Sequence, residues 1–166
     1  MLTSIFSTKF SPRIESIVDS FPIALAKDQR SLNGKVASEI YNKDYYASKD
    51  FHYYGCKLHL IANVRPNNNS YPEYALLTQA SVHNLEAVRD IFLNIYNRKI
   101  YAYKAYSDSE LKSLAKANGT IILTPYKRKR GEKIIDSDDS LISNAVSKAR
   151  QPIESLFNQI DEKVKL

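Results

Sequence analysis

The sequence predicts an α/β domain built on a mixed sheet, and three observations indicate it. Five segments have the length and period of β-strands, and three have the 3.6-residue period of α-helices. Two of the strands are separated only by a short turn, which favours an antiparallel hairpin, whereas the later strands alternate with helices. The 166 residues suffice for one domain with a single substantial core.

The first strand is predicted over residues 16–25, a largely apolar segment with Asp19 in its middle. Because proline lacks the N–H group of a strand residue, we expect Pro22 to confine pairing to the first half of this strand, or to mark a bulge or an edge. Residues 26–48 are polar and lack a clear period, so we expect a loop with about one helical turn.

A hairpin is predicted over residues 53–80. Residues 53–64 alternate, with Lys57 and His59 opposite the apolar positions, which is typical of a half-buried strand. Residues 65–71 hold one proline and three asparagines and are predicted to turn, and residues 74–80 form the returning strand. The apolar face comprises Tyr54, Cys56, Leu58, Leu60, Ala62 and Val64.

Two helices and two strands are predicted to follow. An apolar stripe at spacings of three and four predicts a helix over residues 84–96, and residues 99–103 then resemble a strand. Ser107 and Glu110 form a capping box that opens the second helix, and Gly119 is placed to end it. Residues 120–126 are predicted to form a further short strand.

The last element is predicted to be a long helix from about Ser140, after a highly charged linker over residues 127–139. Apolar residues keep to one helical face up to the end of the chain. Pro152 lies inside this helix and is expected to kink it, because it removes one backbone hydrogen bond.

The composition excludes several classes of protein. No apolar run is long enough to span a membrane, and the N-terminus lacks the pattern of a secretory signal, so we expect a cytoplasmic protein. The sequence contains no glycine-rich phosphate loop and no GxSxG motif. Its histidines lack metal-ligand spacing with the single cysteine, Cys56, and His59 is expected on a strand surface. Lysine and arginine (24) exceed aspartate and glutamate (18), and the net charge of +6 favours polyanionic partners.

Carboxylates are the remaining candidates for chemistry. Asp19 lies inside an apolar strand, where an acid is costly unless it binds something, although Pro22 could instead leave it exposed at a strand end. Glu154 lies on the last helix with Arg150 one turn before it, an arrangement that also occurs as a plain surface ion pair. A strand acid and a late-helix acid can converge on one metal ion.

Six segments in collinear order over about residues 14–165 resemble bacterial insertion-sequence transposases of the DDE (aspartate, aspartate, glutamate) class. These segments are IVDSFPIALA, YYGCKLHLIANV, LLTQASVHNLEAV, KIYAYKAYSD, TIILTPYKRKR and KARQPIESLFNQIDEK. The resemblance implies an RNase H-like α/β fold, in which an antiparallel hairpin and parallel strands form one mixed sheet flanked by helices. It also implies two Mg²⁺ ions held by three carboxylates.

The resemblance assigns the first and third of these carboxylates. Asp19 matches the acid of the first strand, and Glu154 matches the acid of the late helix, with Arg150 as its usual basic companion. The second aspartate is expected where Tyr103 stands, and a neutral phenol does not replace a bridging carboxylate. Asp108 lies five residues downstream, past the predicted strand, so we do not expect it to compensate.

The implied function is Mg²⁺-dependent DNA strand cleavage and strand transfer, expected to be impaired by Tyr103. The alternative is a non-catalytic DNA-binding remnant or regulator of an insertion element. DNA contacts are expected from Arg150 and from a basic run that could equally be a solvated loop. That run comprises Lys127, Arg128, Lys129 and Arg130, with Lys133 beyond it.

The resemblance also implies the partners and the extent of the domain. The partners would be DNA, both element ends and target duplex, with no membrane and with a homodimer as a possible assembly. Residues 1–166 are expected to form one RNase H-like domain that is incomplete at both ends, because relatives carry a DNA-binding region before the first catalytic strand and continue beyond the late helix.

Overall fold

A computed structural model of the chain describes residues 3–4, 15–64, 70–128, 130–132 and 135–164. The strands are β1 (Thr3–Ser4), β2 (Glu15–Lys27), β3 (Asn42–Tyr46), β4 (Phe51–Asn63), β5 (Tyr71–Gln79), β6 (Lys99–Ala102) and β7 (Ile121–Leu123). The α-helices are α1 (Asn84–Leu93), α2 (Ser109–Ala117) and α3 (Ser137–Val164). Two short 3₁₀ helices, Asp28–Asn33 and Lys104–Tyr106, complete the described elements.

The strands form one mixed sheet in the order β1-β5-β4-β2-β6-β7, with β3 paired to β4. β4 and β5 form the expected antiparallel hairpin, and β2 joins it antiparallel through β4. On its other side β2 pairs parallel to β6, which pairs parallel to β7. This confirms the predicted α/β architecture, a mixed sheet of antiparallel and parallel strands flanked by helices, as in RNase H-like folds.

Helices cover the sheet on both faces, and the alternation of β2 side chains separates two cores. Val18 faces the core that α1 and α2 complete, and Ile17 faces the core that α3 completes. Both cores exclude water, so the central strands β2 and β4 are stabilised by the burial of their apolar side chains as well as by hydrogen bonds.

β4 is buried on both faces, which corrects the half-buried strand expected from its alternation. Ile61 belongs to the core under α1, whereas Leu60 belongs to the core under α3. His59, expected on a surface, is 2% exposed and its Nε2 lies 2.9 Å from the Thr78 hydroxyl oxygen. A strand between two neighbours and two helical layers has no solvent face.

The two sides of β2 are paired differently around Pro22. Parallel pairing with β6 ends at Val18, so within the described residues that edge of β2 is free from Asp19 onwards. Antiparallel pairing with β4 continues past Pro22, which lies opposite Lys57, and becomes irregular only between Ala24 and Ala26. The expected edge and irregularity are therefore present, but pairing is not confined to the first half of the strand.

The region expected to be a loop, residues 26–48, holds the 3₁₀ helix Asp28–Asn33 and the strand β3. β3 pairs antiparallel with the beginning of β4 and so adds a second hairpin to the sheet. The sheet thereby exceeds the five predicted strands, with β1 and β3 as the additional ones.

The helix ends differ from prediction at several positions. The side chain of Asp108, and not that of Ser107, caps α2 by accepting the Leu111 N–H at 2.7 Å. Gly119 follows the α2 C-cap with a φ of 68°, as expected for a residue that ends a helix in the left-handed region. α3 begins at Ser137 and passes through Pro152 without interruption, so a kink there stays a prediction.

No helix in the described part of the chain has both the length and the apolar character needed to cross a membrane.

His59 predicts an acid-sensitive fold. Burial, and then the positive charge of Lys57, lower the pKa of His59 to about 4. The unfolded chain therefore takes up this proton at higher pH than the folded chain, so stability is lost as pH falls from about 6.5 towards 4. We expect His59 to contribute on the order of 3 kcal/mol to that loss, measured by urea denaturation across this pH range.

Replacement of His59 by Gln should flatten this part of the pH profile. The matched control is His52→Gln, which removes an exposed imidazole outside both cores. Equal pH profiles for the wild-type chain and His59→Gln would contradict the assignment.

A candidate active site around Asp19, Arg150 and Glu154

Asp19 is presented by the central strand towards α3. It lies between Ile17 and Phe21, whose side chains belong to the core under α3, so the alternation of the strand directs Asp19 to the same face. Its partner across the antiparallel ladder is Leu60, another residue of that core. The carboxylate is thus placed at the margin of an apolar layer.

α3 is held against β2 by apolar residues on either side of the acid. Ile153 is fully buried, and the Phe157 ring stacks on Phe21 with 5.2 Å between ring centroids. These contacts lie within two turns of Arg150 and fix which face of the helix meets Asp19. The site is therefore positioned by packing and not by a flexible loop.

Arg150 joins the two acids. Its Nη2 lies 2.5 Å from Asp19 Oδ2 and 3.6 Å from Glu154 Oε1. The other oxygen of Asp19, Oδ1, accepts the Ser20 N–H at 2.9 Å. The Arg150 side chain is 10% exposed and that of Glu154 is 58% exposed, so the contact with Asp19 is the shielded and stronger one.

Tyr103 directly follows the strand that pairs with β2 next to Asp19. The last parallel pair of β2 and β6 joins Val18 to Ala102, and the next residues are Asp19 within β2 and Tyr103 just beyond the end of β6. The Arg150 guanidinium carbon lies 4.9 Å from the centre of the Tyr103 ring, and Lys104 Nζ lies 5.5 Å from it. The side-chain cations of Arg150 and Lys104 therefore lie against the Tyr103 ring, at the position where the resemblance implies a carboxylate.

One cavity of about 500 Å³ is lined by the four side chains described above, those of Asp19, Tyr103, Arg150 and Glu154. Its opposite wall is the β3–β4 hairpin, including Tyr46 and Lys49, which the sequence did not predict. Burial, and then the negative charge of Asp19, raise the pKa of Tyr46, with smaller contributions from other acids including Glu154. The cavity thus brings acids and cations together within a partly buried space.

The predicted basic run lies elsewhere. Lys127, Arg128 and Arg130 are exposed and line neither this cavity nor its neighbour, and Lys129 and Lys133 lie outside the described residues. Tyr126, directly before the run, donates its N–H to Ser143 Oγ of α3 at 2.9 Å. Ser143 precedes Arg150 by about two helical turns, so the run and the acid site flank one helix.

A mixed sheet of this order, with one acid on its central strand and another on the final helix, has the architecture of an RNase H-like catalytic domain. The chain belongs to the transposase DDE domain family, whose sequence pattern matches residues 11–166. The comparison with curated proteins and the comparison with solved structures find no match.

The residues present do not fit a centre of two divalent metal ions. DDE transposases generally use divalent metal, but no three acid, histidine or cysteine side chains cluster as ligands among the residues that the structure describes. Both Asp19 oxygens already accept hydrogen bonds, from Ser20 and from Arg150. Asp108 caps α2 and does not line the cavity. Two ions a few ångströms apart need more anionic oxygens than Asp19 and Glu154 offer.

The ion pair of Asp19 and Arg150 predicts an asymmetric effect of substitutions. Arg150→Ala leaves a shielded carboxylate without its charged partner, and we expect it to lower the free energy of unfolding by about 2–3 kcal/mol. Glu154→Ala removes a side chain that is largely solvated, and we expect a change within about 0.5 kcal/mol. Urea denaturation of both variants at neutral pH measures the difference.

Equal effects of Arg150→Ala and Glu154→Ala would contradict this description of the site. Arg150→Lys is a further control, because lysine keeps the charge but not the planar group that lies over Tyr103. We expect an intermediate loss of stability for that variant.

Proposed function

We propose that this chain binds DNA through its basic surface and that its Mg²⁺-dependent strand cleavage and strand transfer are impaired. The observation that supports impairment is the Arg150 guanidinium over the ring of Tyr103, the residue that stands where the resemblance implies the second acid. A cation over a neutral ring disfavours a second, divalent cation at the same place, because like charges repel.

Asp19 and Glu154 remain the residues expected to hold a metal ion and to act in catalysis. A bound Mg²⁺ would supply Lewis acidity to a phosphoryl oxygen and an activated attacking oxygen. For Asp19 to bind one, Arg150 must first release its oxygen, which is a competition between two cations for one carboxylate. Two carboxylates and an adjacent arginine support at most weak binding of such an ion.

Asp108 supports the proposal of impaired activity because its carboxylate caps α2 and is therefore not free to bind a metal ion in the cavity. Its Oδ1 accepts the Leu111 N–H at the beginning of α2. Withdrawing it into the cavity would leave that N–H group without its cap, a loss typically of about 1 kcal/mol. Compensation for Tyr103 by Asp108 therefore costs stability as well as a rearrangement of the chain.

The DNA contacts are proposed at the basic run and at Arg150. Lys127, Arg128 and Arg130 are exposed, and phosphate contacts of such residues position DNA without specifying sequence. Because Tyr126, directly before this run, is bonded to Ser143 of α3, a duplex on the run would lie along the helix that carries Arg150. A non-catalytic DNA-binding regulator of an element is the second candidate, favoured by the Arg150–Asp19 pair.

The proposal predicts DNA binding without cleavage. We expect the unmodified chain to bind duplex DNA weakly, without sequence preference and with strong salt dependence, and to leave supercoiled plasmid intact in Mg²⁺. Replacing Lys127, Arg128 and Arg130 by Gln should lower the slope of log affinity against log salt by about 3, at about 0.9 for each phosphate contact. Fluorescence anisotropy with a labelled duplex measures this slope.

The matched control, called here the distal control variant, replaces Arg89, Lys99 and Lys116 by Gln. These three substitutions remove as much positive charge as the three in the basic run. None of the three residues lines the acid cavity. Robust Mg²⁺-dependent nicking of plasmid by the unmodified chain, abolished by Asp19→Ala, would contradict impairment. If Asp108→Ala abolished the nicking as well, compensation by Asp108 would be the better account.

Restoring the missing carboxylate supplies the complementary test. We expect Tyr103→Asp to raise Mg²⁺ affinity at least about tenfold, measured by isothermal titration calorimetry, because ligand charge controls binding of this ion. Tyr103→Asn is the matched control, since it also removes the ring but adds no charge. Equal Mg²⁺ affinities for Tyr103→Asp and Tyr103→Asn would show that this position does not face a metal site.

A further inference from the structure

We propose that the free edge of β2 and the tip of the β3–β4 hairpin form a groove that binds one unpaired nucleic-acid strand beside the acid site. The inference rests on the proposed DNA binding and deepens it by assigning a second, distinct surface to an unpaired strand. It uses none of the residues of the basic run.

The groove consists of two adjoining cavities. The second, of about 370 Å³, shares the residues Phe21, Pro22, Tyr46 and Lys49 with the cavity at Asp19. Shared lining places the two spaces side by side, so a ligand in the second cavity lies next to the acid site. Each cavity has the size of a small-molecule pocket, which suits single nucleotides and not a paired duplex.

The floor of the second cavity is an edge of the sheet. All residues from position 21 to position 27 line it, whereas one face of a strand would contribute only every second residue. An exposed edge here agrees with the pairing between β2 and β6, which ends at Val18. Residues 19–27 of β2 span about 26 Å, the length of roughly eight stacked nucleotides.

The balance of acidic and basic side chains differs between the two cavities of the groove. At the acid site Asp19, Asp44 and Glu154 balance Lys49, Lys57 and Arg150. The second cavity is lined by three cations and one acid, namely Lys27, Arg30, Lys49 and Asp161.

The cations of the second cavity are available to a ligand. Lys27, Arg30 and Lys49 are exposed, and no ion pair within the described part of the chain involves them. The Lys27 ammonium lies over the Phe51 ring at 5.1 Å from its centre, which holds one charge against the hairpin. Unpaired cations along an open edge favour a polyanion.

The hairpin offers a ring on which a base can stack. Tyr45 lines the acid cavity and is 44% exposed. Its ring lies 4.9 Å from that of His52, and its hydroxyl donates to Asp50, so the ring is oriented before a ligand arrives. An unpaired strand exposes base faces to such rings, whereas a duplex buries them in its own stack. This distinguishes an unpaired strand from a duplex and from an acidic peptide.

The groove variant replaces Lys27, Arg30 and Lys49 by Gln, and the probe is a fluorescein-labelled oligodeoxythymidine of about 12 nucleotides. We expect its affinity, measured by anisotropy at low salt, to fall at least about tenfold in the groove variant. The slope of log affinity against log salt should fall by about 2, at about 0.7 for each contact on a single strand. The distal control variant should stay within about twofold of the wild-type chain.

Two substitutions at Tyr45 separate stacking from charge. We expect Tyr45→Ala to weaken oligodeoxythymidine binding by about tenfold, whereas Tyr45→Phe, which keeps the ring, should bind like the wild-type chain. Equal weakening by both would overturn the stacking contact, and equal affinity of the groove variant and the distal control variant would overturn the groove.

The remaining outcomes distinguish this inference from the function on which it rests. Binding of duplex but not of the oligodeoxythymidine would overturn the groove and leave the proposed function intact. Binding of neither would refute both. An oligoglutamate peptide bound as tightly as the oligonucleotide, and lost equally in the groove variant, would assign the groove to an acidic peptide and overturn the proposal.

Discussion

The ion pair between Asp19 and Arg150 is the contact on which the rest of the site depends. It joins the middle of the central strand to the last helix, across the margin of an apolar core. A carboxylate in that position is costly unless a charged partner or a metal ion compensates for the lost water. Because Arg150 does so within the chain itself, the arrangement of β2 against α3 does not require an ion.

The same contact determines what Tyr103 does in the cavity. With Tyr103 beside Asp19, the ring accepts the Arg150 cation on its face, and the guanidinium lies between both acids. A carboxylate at this position would instead attract that cation and add an oxygen ligand. The site therefore combines the acid positions of a DDE domain with an internal monovalent cation, which supports the proposed DNA binding without cleavage.

Much of the fold follows from periodicity, and the exceptions have physical causes. The hairpin of β4 and β5, both parallel strands and all three helices were predicted, because each shows its own period in the sequence. β3 was missed because three of its five residues, Asn42, Lys43 and Asp44, are poor strand formers, and because its partner in the sheet is β4 alone among the described strands. Alternation in β4 could not show that both faces are covered, since that depends on helices distant in sequence.

The residues of the candidate site could be named from the sequence, but their arrangement could not. Asp19, Arg150 and Glu154 were candidates both from their local sequence and from the resemblance, while the local sequence also allowed plain surface positions. Their convergence in one cavity depends on the packing of Phe21 against Phe157, which no local pattern reports. The hairpin wall was missed together with β3. The cap of α2 was assigned to Ser107 because a capping box describes spacing, whereas the adjacent Asp108 is a comparably good cap.

Diffraction at the manganese absorption edge, from crystals soaked in saturating Mn²⁺ as a stand-in for Mg²⁺, shows whether Arg150 or a pair of metal ions occupies the oxygens of Asp19. We expect no pair of anomalous peaks between Asp19 and Glu154, with the Arg150 guanidinium still bound to Asp19 and stacked on the Tyr103 ring. Two peaks a few ångströms apart at this place, with Arg150 displaced from Asp19, would contradict it.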